Sequence, residues 1–360
     1  MKAMYIHIPF CKSICTYCDF CKQFYNEINV KQYLDALNNE ILDRYNGEEL
    51  ETLYIGGGTP SSLNINELKK LFNILKQLNL EKIKEFTFEC NVNDITTELI
   101  NILKENKVNR ISIGVESFDK KKLKFMERFS NFEDVQNKIN LIKSIGINNI
   151  NIDLMYGIPG ETLKVLKKDL DLILKLKPTH ISTYSLILEE YTKLSLNNIK
   201  PIDEELELEM YNYIVKKLKK KKYNHYEVSN FALENYESLH NLNYWNNQEY
   251  YGFGLGASGY IDGIRYENTK NINKYFDEKY VRKEEIVGIK EKQENELMLG
   301  FRKTEGINLQ EFYNKYNVNI QDVFPIKPLL KNKDLIYKDG YVYINPEKLY
   351  IMNEILLKLI

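Results

Sequence analysis

The sequence has little of what marks a protein bound for a membrane, for export or for nucleic acid. Lys and Arg number 50 against 51 Asp and Glu in the 360 residues, so the net charge is −1. Such a balance gives no positive field that would attract nucleic acid or an anionic lipid surface. No apolar run is long enough to span a bilayer, and too few residues precede the first cysteine for a signal peptide. We therefore expect a cytoplasmic protein with no membrane anchor and no nucleic-acid partner.

Cysteine is also scarce, but four of the five cysteines lie in one stretch, HIPFCKSICTYCDFC, at residues 7–21. In a reducing cytoplasm, clustered thiols are more often metal or redox ligands than disulfides. Cys11, Cys15 and Cys18 have the spacing C-x3-C-x2-C. Three such thiolates can hold three corners of a cubane iron-sulfur cluster and leave the fourth iron open for chemistry. Cys21 keeps an alternative open, because a fourth thiolate would close the cluster or form half of a zinc site with Cys18.

Short β-branched runs alternate with amphipathic segments through the first part of the chain. Apolar residues at spacings of three and four predict helices between these runs. Six strand-then-helix units in sequence predict an α/β fold with a parallel sheet, either open and doubly wound or part of a (β/α) barrel. The predicted strands cover residues 4–8, 52–57, 85–90, 110–118, 150–157 and 180–187.

The alternation stops after about residue 226, and a stretch rich in glycine and aromatic residues follows at 240–260. From about residue 291 the pattern changes to two helices and a hairpin with Asp-Gly at its turn. This pattern predicts a small C-terminal module that is helical and winged-helix-like. The expected division is a core at 1–225, a linker region at 226–290 and the module at 291–360.

The cysteine spacing resembles the signature C-x3-C-x-aromatic-C of the radical S-adenosylmethionine (SAM) enzymes, with Tyr17 as the aromatic residue. The resemblance implies a [4Fe-4S] cluster on Cys11, Cys15 and Cys18, whose open iron chelates the amino and carboxylate groups of SAM. One electron passed to the sulfonium would then leave methionine and a 5′-deoxyadenosyl radical. The run GGGTPS resembles the glycine motif of the same enzymes, which contacts the methionine amino group.

Longer blocks narrow the resemblance to the oxygen-independent coproporphyrinogen dehydrogenases and their relatives. The blocks are YIHIPFC, GGGTPS, GVESF, DLMYGIPGET and YEVSNFA, and they cover nearly the whole chain in order. The resemblance implies a partial, TIM-like (β/α)6 barrel with a C-terminal domain. It also implies SAM contacts from Tyr5, Tyr17, Phe20, Gly57, Gly58, Thr59, Glu89, Glu116, Arg128 and Asp153. Glu116 departs from the Gln that the family often has, which adds a negative charge beside the ligand.

Two activities share this family scaffold: decarboxylation of coproporphyrinogen III, and the handling of heme by a heme chaperone branch. The chain resembles the chaperone branch in its short N-terminal arm, in Phe20 where the dehydrogenase has a fourth cysteine, and in HNLNYW, which matches the motif HNxxYW. The motif implies a heme site at His240, Tyr244 and Trp245, since an imidazole can bind iron and aromatic rings can cover the macrocycle. The alternative to a heme site is that His240 is an ordinary hydrogen-bonded loop histidine beside a packed aromatic cluster.

The sequence therefore predicts a radical SAM protein that acts as a heme chaperone. Its expected partners are heme and the apo-heme proteins of respiration or storage, with only transient contact to membrane-bound clients. The first alternative is a coproporphyrinogen III dehydrogenase. The second is an electron-transfer protein whose cluster is closed by four thiolates, with Cys21 as the fourth.

Overall fold

Strands and helices alternate through the computed structural model, which describes residues 2–190, 192–197 and 199–359. The strands are β1 (Ala3–Ile8), β2 (Phe10–Cys11), β3 (Gln23–Phe24), β4 (Thr52–Gly57), β5 (Glu85–Asn91), β6 (Arg110–Glu116), β7 (Asn149–Tyr156), β8 (His180–Ser185), β9 (Asn224–Glu227), β10 (Asn230–Ala232), β11 (Tyr250–Phe253), β12 (Ser258–Ile261), β13 (Ile264–Asn268), β14 (Val281–Ile286), β15 (Ile307–Asn308), β16 (Leu335–Lys338) and β17 (Tyr341–Ile344). The helices are α1 (Glu27–Arg44), α2 (Ile65–Leu75), α3 (Thr97–Glu105), α4 (Lys120–Met126), α5 (Phe132–Ser144), α6 (Leu163–Leu176), α7 (Lys193–Leu196), α8 (Glu204–Lys220), α9 (Leu239–Trp245), α10 (Ile272–Phe276), α11 (Ile289–Gly300), α12 (Leu309–Tyr316), α13 (Ile320–Val323), α14 (Ile326–Lys331) and α15 (Met352–Leu356).

The main sheet has the strand order β14-β13-β12-β11-β1-β4-β5-β6-β7-β8-β10-β9. Strands from β11 through β8 run parallel, and antiparallel strands lie at both ends. The six predicted strands are β1, β4, β5, β6, β7 and β8, and the predicted α/β architecture is confirmed. The sheet is mixed, however, because β11 to β14 extend it from the region where the sequence pattern indicated no strands.

The parallel strands bury one face against helices and turn the other toward the interior of the incomplete barrel. On β6, Ile111, Ile113 and Val115 are fully buried in the main hydrophobic core. The alternate residues Arg110 and Ser112 line a cavity instead. Because successive side chains of a strand point to opposite faces, this alternation separates the packing residues from the residues available for a site.

A second hydrophobic core lies in the C-terminal part of the chain. It is built from α11 to α15 and the small sheet β15-β17-β16. The predicted hairpin is β16 and β17, and at its turn Asp339 and Gly340 have φ of 51° and 83°, as a type I′ turn requires. The helical C-terminal module is therefore confirmed, while the boundaries of the three regions stay a prediction.

The sequence has one strongly basic run, KKLKKKK at residues 216–222, which covers the end of α8 and the two residues that follow it. The helix begins after the N-cap residue Asp203. Three lysines in its last turn lie near the negative pole of the helix dipole, which favours them there. Within the part of the chain that the structure describes, no helix has both the length and the apolar character needed to cross a membrane.

Candidate functional site

A cavity of about 450 Å³ opens where the parallel strands end at their carboxyl edge, the usual position of sites in α/β sheets. The loop that carries the cysteines forms part of its wall. The sequence-predicted residues that line it are Cys11, Cys15, Tyr17, Cys18, Phe20, Gly57, Gly58, Thr59, Glu89, Glu116, Arg128 and Asp153. Of the predicted SAM contacts, Tyr5 lies outside its lining. The structure thus brings the three thiols and most of the predicted SAM contacts around one space.

Three free thiols face this cavity from the segment that starts at the end of β2. Cys11 is buried, and its sulfur accepts a hydrogen bond from the Thr59 hydroxyl at 3.3 Å. Cys15 and Cys18 are half-buried, and the Arg128 guanidinium donates to the Cys15 sulfur at 3.6 Å. Burial raises the pKa of Cys11 to about 11. A bound cation is therefore needed to hold this group as a thiolate at neutral pH.

The thiols do not converge on a single point. Among residues 2–190, 192–197 and 199–359, no group of three or more His, Cys, Asp or Glu side chains could hold one metal ion. A zinc site needs such convergence, because its ligands surround one ion at about 2.0–2.3 Å. An iron-sulfur cluster does not, because each thiolate binds a separate iron atom. Three thiols along one cavity wall are compatible with such a cluster.

Cys21 lies apart from the other three cysteines of the stretch. It is not part of the cavity lining, and a side chain at Gly256 would come within 2.9 Å of its sulfur. The His7 ring donates from Nε2 to the Cys21 carbonyl at 2.6 Å and accepts from the Tyr5 hydroxyl at Nδ1 at 2.9 Å. Cys21 therefore packs behind the wall that holds the other thiols.

The glycine run at the end of β4 occupies a place where side chains would collide. Gly57 has φ of 110°, and a Cβ there would lie 2.4 Å from the His7 ring. A Cβ on Gly58 would lie 2.6 Å from the carbonyl oxygen of Pro9. Only glycine tolerates both the backbone conformation at Gly57 and this close approach of β4 to the cysteine stretch.

The N–H groups of this run are used within the protein. Gly57 donates to the Glu89 carboxylate at 3.1 Å. Gly58 and Thr59 donate to main-chain carbonyls at the ends of β1 and β2, both at 2.9 Å. The run therefore shapes the cavity through close packing and holds a carboxylate that faces it, while the contacts of Gly57, Gly58 and Thr59 with SAM stay a prediction.

At the strand ends, the carboxylate side chains outnumber the nearby cationic side chains. Burial and the carboxylates of Glu116 and Glu89 raise the pKa of Asp153 to about 8. Burial also raises the pKa of Glu89. The guanidinium of Arg128 lies 3.8 Å from Glu116, and buried Arg110 also lines the cavity. Such crowding of carboxylates favours a cationic ligand, because a positive charge lets them ionise together.

Glu116 owes its position to an irregular backbone. Its φ is 66°, which is uncommon for a residue with a side chain, and the pairing of β6 with β7 shifts register between Gly114 and Glu116. A bulge of this kind redirects a side chain at a strand end. Left-handed backbone at such a position is typical of functional sites, where the surrounding structure holds the strain.

A second cavity of about 340 Å³ adjoins the first. The two share Phe20, Gly57 and Glu89 in their linings. The remaining lining residues of the second cavity are Tyr5, Tyr244, Tyr250 and Ser258. The rings of Tyr244 and Tyr250 meet edge to face with their centroids 4.6 Å apart. Two of the sequence-predicted residues, Tyr5 and Tyr244, thus belong to an aromatic cavity beside the thiol cavity.

His240 and Trp245 of the HNxxYW motif are placed differently from Tyr244. His240 is 1% exposed, and its Nδ1 and Nε2 hydrogen-bond to the hydroxyls of Thr52 at 2.9 Å and Tyr244 at 2.7 Å. Trp245 lines neither of the two cavities and packs under Arg302, whose guanidinium carbon lies 5.5 Å from the ring centroid. Both ring nitrogens of His240 are thus hydrogen-bonded within the protein, and its expected role as an iron ligand stays a prediction.

Some polar residues of the first cavity were not predicted from the sequence. They are Tyr54, Arg110, Ser112, Asn151 and Ser182. Each stands on a strand at an even spacing from a predicted or lining residue, for example Asn151 two positions before Asp153. A polar residue that alternates with buried aliphatic residues on a parallel strand is the signal that would have found them.

Comparisons with known proteins agree with this fold and site. The radical SAM superfamily matches residues 5–173, and the HemN C-terminal domain matches residues 290–349. The solved structure of coproporphyrinogen III oxidase (HemN) from Escherichia coli, described as a radical SAM enzyme, superposes with a TM-score of 0.87. It covers 99% of this chain and 90% of its own at 21% identity, which shows a shared fold. The fold and the thiol cavity are those of a radical SAM protein.

Sequence relatives define the family more narrowly. Heme chaperone HemW of Lactococcus lactis is 41% identical over 94% of this chain and 91% of the relative. Heme chaperone HemW of Bacillus subtilis is 38% identical over 99% and 98%, and that of Escherichia coli is 32% identical over 94% and 91%. The chain belongs to the HemW family of radical SAM proteins.

Proposed function

We propose that this protein is a heme chaperone, which binds heme and delivers it to apo-heme proteins, and that it carries a [4Fe-4S] cluster and SAM. The observation that supports this most is similarity over nearly the full length to proteins named as heme chaperones. Likeness to the E. coli oxidase at 21% identity supports the fold alone.

Cys11, Cys15 and Cys18 would hold the cluster, because they are the free thiols of the stretch at residues 7–21 that line the first cavity, whereas Cys90, which also lines it, stands apart on β5. A reduced cluster held there would supply the electron needed to cleave the sulfonium of SAM. The residues of the chain bind and orient the ligand: the carboxylates of Glu89, Glu116 and Asp153 offer acceptors for its ammonium and ribose hydroxyls. Their excess negative charge supports a ligand that carries both a sulfonium and an ammonium.

Heme would occupy the second cavity. Its tyrosine and phenylalanine rings offer the flat apolar surfaces that a porphyrin requires. Tyr244 is the residue of the HNxxYW motif that reaches this cavity, so we assign the motif's heme contact to Tyr244. His240 and Trp245 would support the cavity from behind. We propose that the iron ligand is a group other than His240, because both of its ring nitrogens are hydrogen-bonded.

The clients would be heme-requiring proteins of respiration or storage. The protein would deliver heme to them in the cytoplasm, and it would contact a membrane-bound client only transiently.

The test is an anaerobic titration of the cluster-reconstituted protein with heme, followed by absorption, beside the same titration with metal-free protoporphyrin. Tyr244→Ala should weaken heme binding by up to about tenfold, since aromatic contacts contribute roughly 0.5–1.5 kcal/mol. Tyr337→Ala is the matched control, because Tyr337 is 60% exposed on the distant hairpin. Bound heme should then transfer to an added apo-heme protein.

Near-stoichiometric, saturable binding followed by transfer would support the proposal. Turnover of coproporphyrinogen III to the decarboxylated product, without saturable heme binding, would instead establish the dehydrogenase. Equal loss of heme affinity in Tyr244→Ala and Tyr337→Ala would exclude the second cavity as the heme site.

A further inference from the structure

The helix α9, which carries the HNxxYW motif, is clamped to the two strands that bring Gly57 and Glu89 to the cavity. At its N-terminus, the buried carboxylate of Glu85 on β5 accepts from the main-chain N–H of Leu239 at 2.9 Å and of His240 at 3.2 Å. The negative carboxylate lies at the positive end of the helix, where it is favoured. The start of α9 is therefore fixed to β5, four residues before Glu89 on the same face of that strand.

His240 fixes the helix to the neighbouring strand β4. Its Nδ1 hydrogen-bonds to the hydroxyl of Thr52, which is fully buried. Its ring packs on the ring of Tyr54, with centroids 5.2 Å apart and planes tilted by 32°. Because Thr52 and Tyr54 are two residues apart on one strand, the imidazole contacts β4 at two successive positions of the same face.

Tyr54 connects this packing to the cavity. Its hydroxyl donates to Oε1 of Glu89 at 2.6 Å, while Oε2 of Glu89 accepts from the N–H of Gly57 at 3.1 Å. Both carboxylate oxygens are thus oriented, one by a main-chain group and one by a side chain. The side chain is that of Tyr54, whose ring His240 holds in place.

We propose that Tyr54 and His240 are positioning residues that fix the Glu89 carboxylate for SAM, so that the HNxxYW motif of this chain serves the first cavity. The inference rests on the proposed binding of SAM, and it is independent of heme. A buried carboxylate that lacks one of its donors can rotate away from its ligand and holds its charge less readily. Loss of the Tyr54 hydroxyl should therefore weaken SAM binding without changing the cluster.

The experiment measures SAM affinity by anaerobic equilibrium dialysis of the cluster-reconstituted full chain. Tyr54→Phe removes one hydroxyl and keeps the ring, and we expect its SAM dissociation constant to rise by about tenfold or more, since the acceptor is charged. Tyr223→Phe is the matched control: it also removes a buried tyrosine hydroxyl, one that donates to the Pro178 carbonyl at 2.6 Å outside the cavity. Tyr223→Phe should leave SAM affinity unchanged.

A double-mutant cycle tests whether His240 acts through Tyr54. His240→Gln alone should weaken SAM binding, and adding it to Tyr54→Phe should weaken binding little further, because the link to Glu89 is already broken. The electron paramagnetic resonance spectrum of the reduced cluster is a second readout. At equal iron content, the SAM concentration needed to change this spectrum should be higher for Tyr54→Phe than for the wild type.

Unchanged SAM affinity in Tyr54→Phe, or fully additive effects of the two substitutions, would overturn the inference. So would His240→Gln if it lost heme binding and kept SAM binding. If the wild-type protein itself bound no SAM, the proposed cofactor would be wrong and the inference with it. Equal SAM binding by the wild type and all variants is a different result, which would overturn the inference alone.

Discussion

The cysteine stretch and the helix α9 both carry residue types that bind metals and cofactors, and the structure uses them in opposite ways. Cys15 and Cys18 are half-buried, and their side chains line a cavity. His240 is buried, with both ring nitrogens hydrogen-bonded to hydroxyls. A residue type that can bind a metal or cofactor therefore serves a ligand site where its side chain reaches a cavity. Otherwise the same residues hold the structure together.

The sharpest test of this contrast is removal of the thiols. Cys11→Ala, Cys15→Ala or Cys18→Ala should each lose nearly all cluster iron after anaerobic reconstitution, because each thiolate would bind its own iron atom. Cys21→Ala should keep the iron, since Cys21 lies outside the cavity. Iron analysis and visible absorption measure both. Loss of the cluster in Cys21→Ala as complete as in Cys15→Ala would favour the four-thiolate alternative.

Buried charges extend the comparison, because some of them also have every donor in use. The Lys122 ammonium donates to the Met155 carbonyl at 2.8 Å, to Glu161 at 2.7 Å and to Asp169 at 3.1 Å. Lys122→Met would leave two buried carboxylates without their cation and should lower the free energy of unfolding by roughly 3–5 kcal/mol. Lys121→Met, one residue earlier and exposed, should change it by no more than about 0.5 kcal/mol.

Chemical denaturation of the two variants measures this difference. A similar free energy of unfolding for Lys122→Met and Lys121→Met would show that the buried ion pairs of Lys122 do not stabilise the fold.

The pH dependence of stability tests whether α9 is built around a neutral imidazole. Burial, with Arg110 nearby, lowers the pKa of His240 from 6.5 to about 3. The folded state therefore excludes a proton that the unfolded state binds. This contribution is complete above about pH 6.5 and is lost as the pH falls toward 3, at no more than about 1.4 kcal/mol per pH unit.

We expect the free energy of unfolding of the wild type to fall more steeply between pH 6.5 and 4.5 than that of His240→Gln. Burial lowers the pKa of His7 and His225 to about 4, and their contribution is common to both proteins. Parallel curves for the two proteins in urea titrations over this range would argue against a buried neutral imidazole.

The smallest expected effect concerns the far end of α9. Trp245 is the single tryptophan of the chain, so its fluorescence reports on this contact alone. Arg302→Met should shift its emission and lower the free energy of unfolding by about 0.5–1 kcal/mol, the range of an exposed cation-π contact. Arg282→Met, on a surface ion pair with Glu267, is the control and should leave the emission unchanged.

Local patterns predicted much of this structure. The six core strands follow from short apolar runs, and observed bounds differ little from the predicted ones, as for β4 at Thr52–Gly57. Cys11, Cys15 and Cys18 lie within eight residues of chain, so their spacing alone brings them together. The C-terminal hairpin follows from Asp339-Gly340, because both residues tolerate positive φ.

Features that depend on distant contacts were not predicted. β11 is only four residues long and pairs with β1 across most of the chain, so no local pattern marks it as a parallel strand. The hydrogen bond at Nδ1 of His240 depends on Thr52, 188 residues earlier in sequence. Tyr54 was overlooked because its partner Glu89 stands on the next strand, and only the pairing of β4 with β5 brings them together.

The position of β1 in the sheet also has a consequence for synthesis on the ribosome. β1 emerges before the other strands described, yet it lies between β4 and β11, and its partner Tyr250–Phe253 emerges last among the parallel strands. An apolar strand edge therefore stays unpaired while most of the chain is translated, a state prone to aggregation. Gly256, just beyond β11, packs against Cys21 behind the thiols. The cavity wall that carries the cysteines is therefore completed late. Assembly of a metal cluster on it should follow translation of this segment.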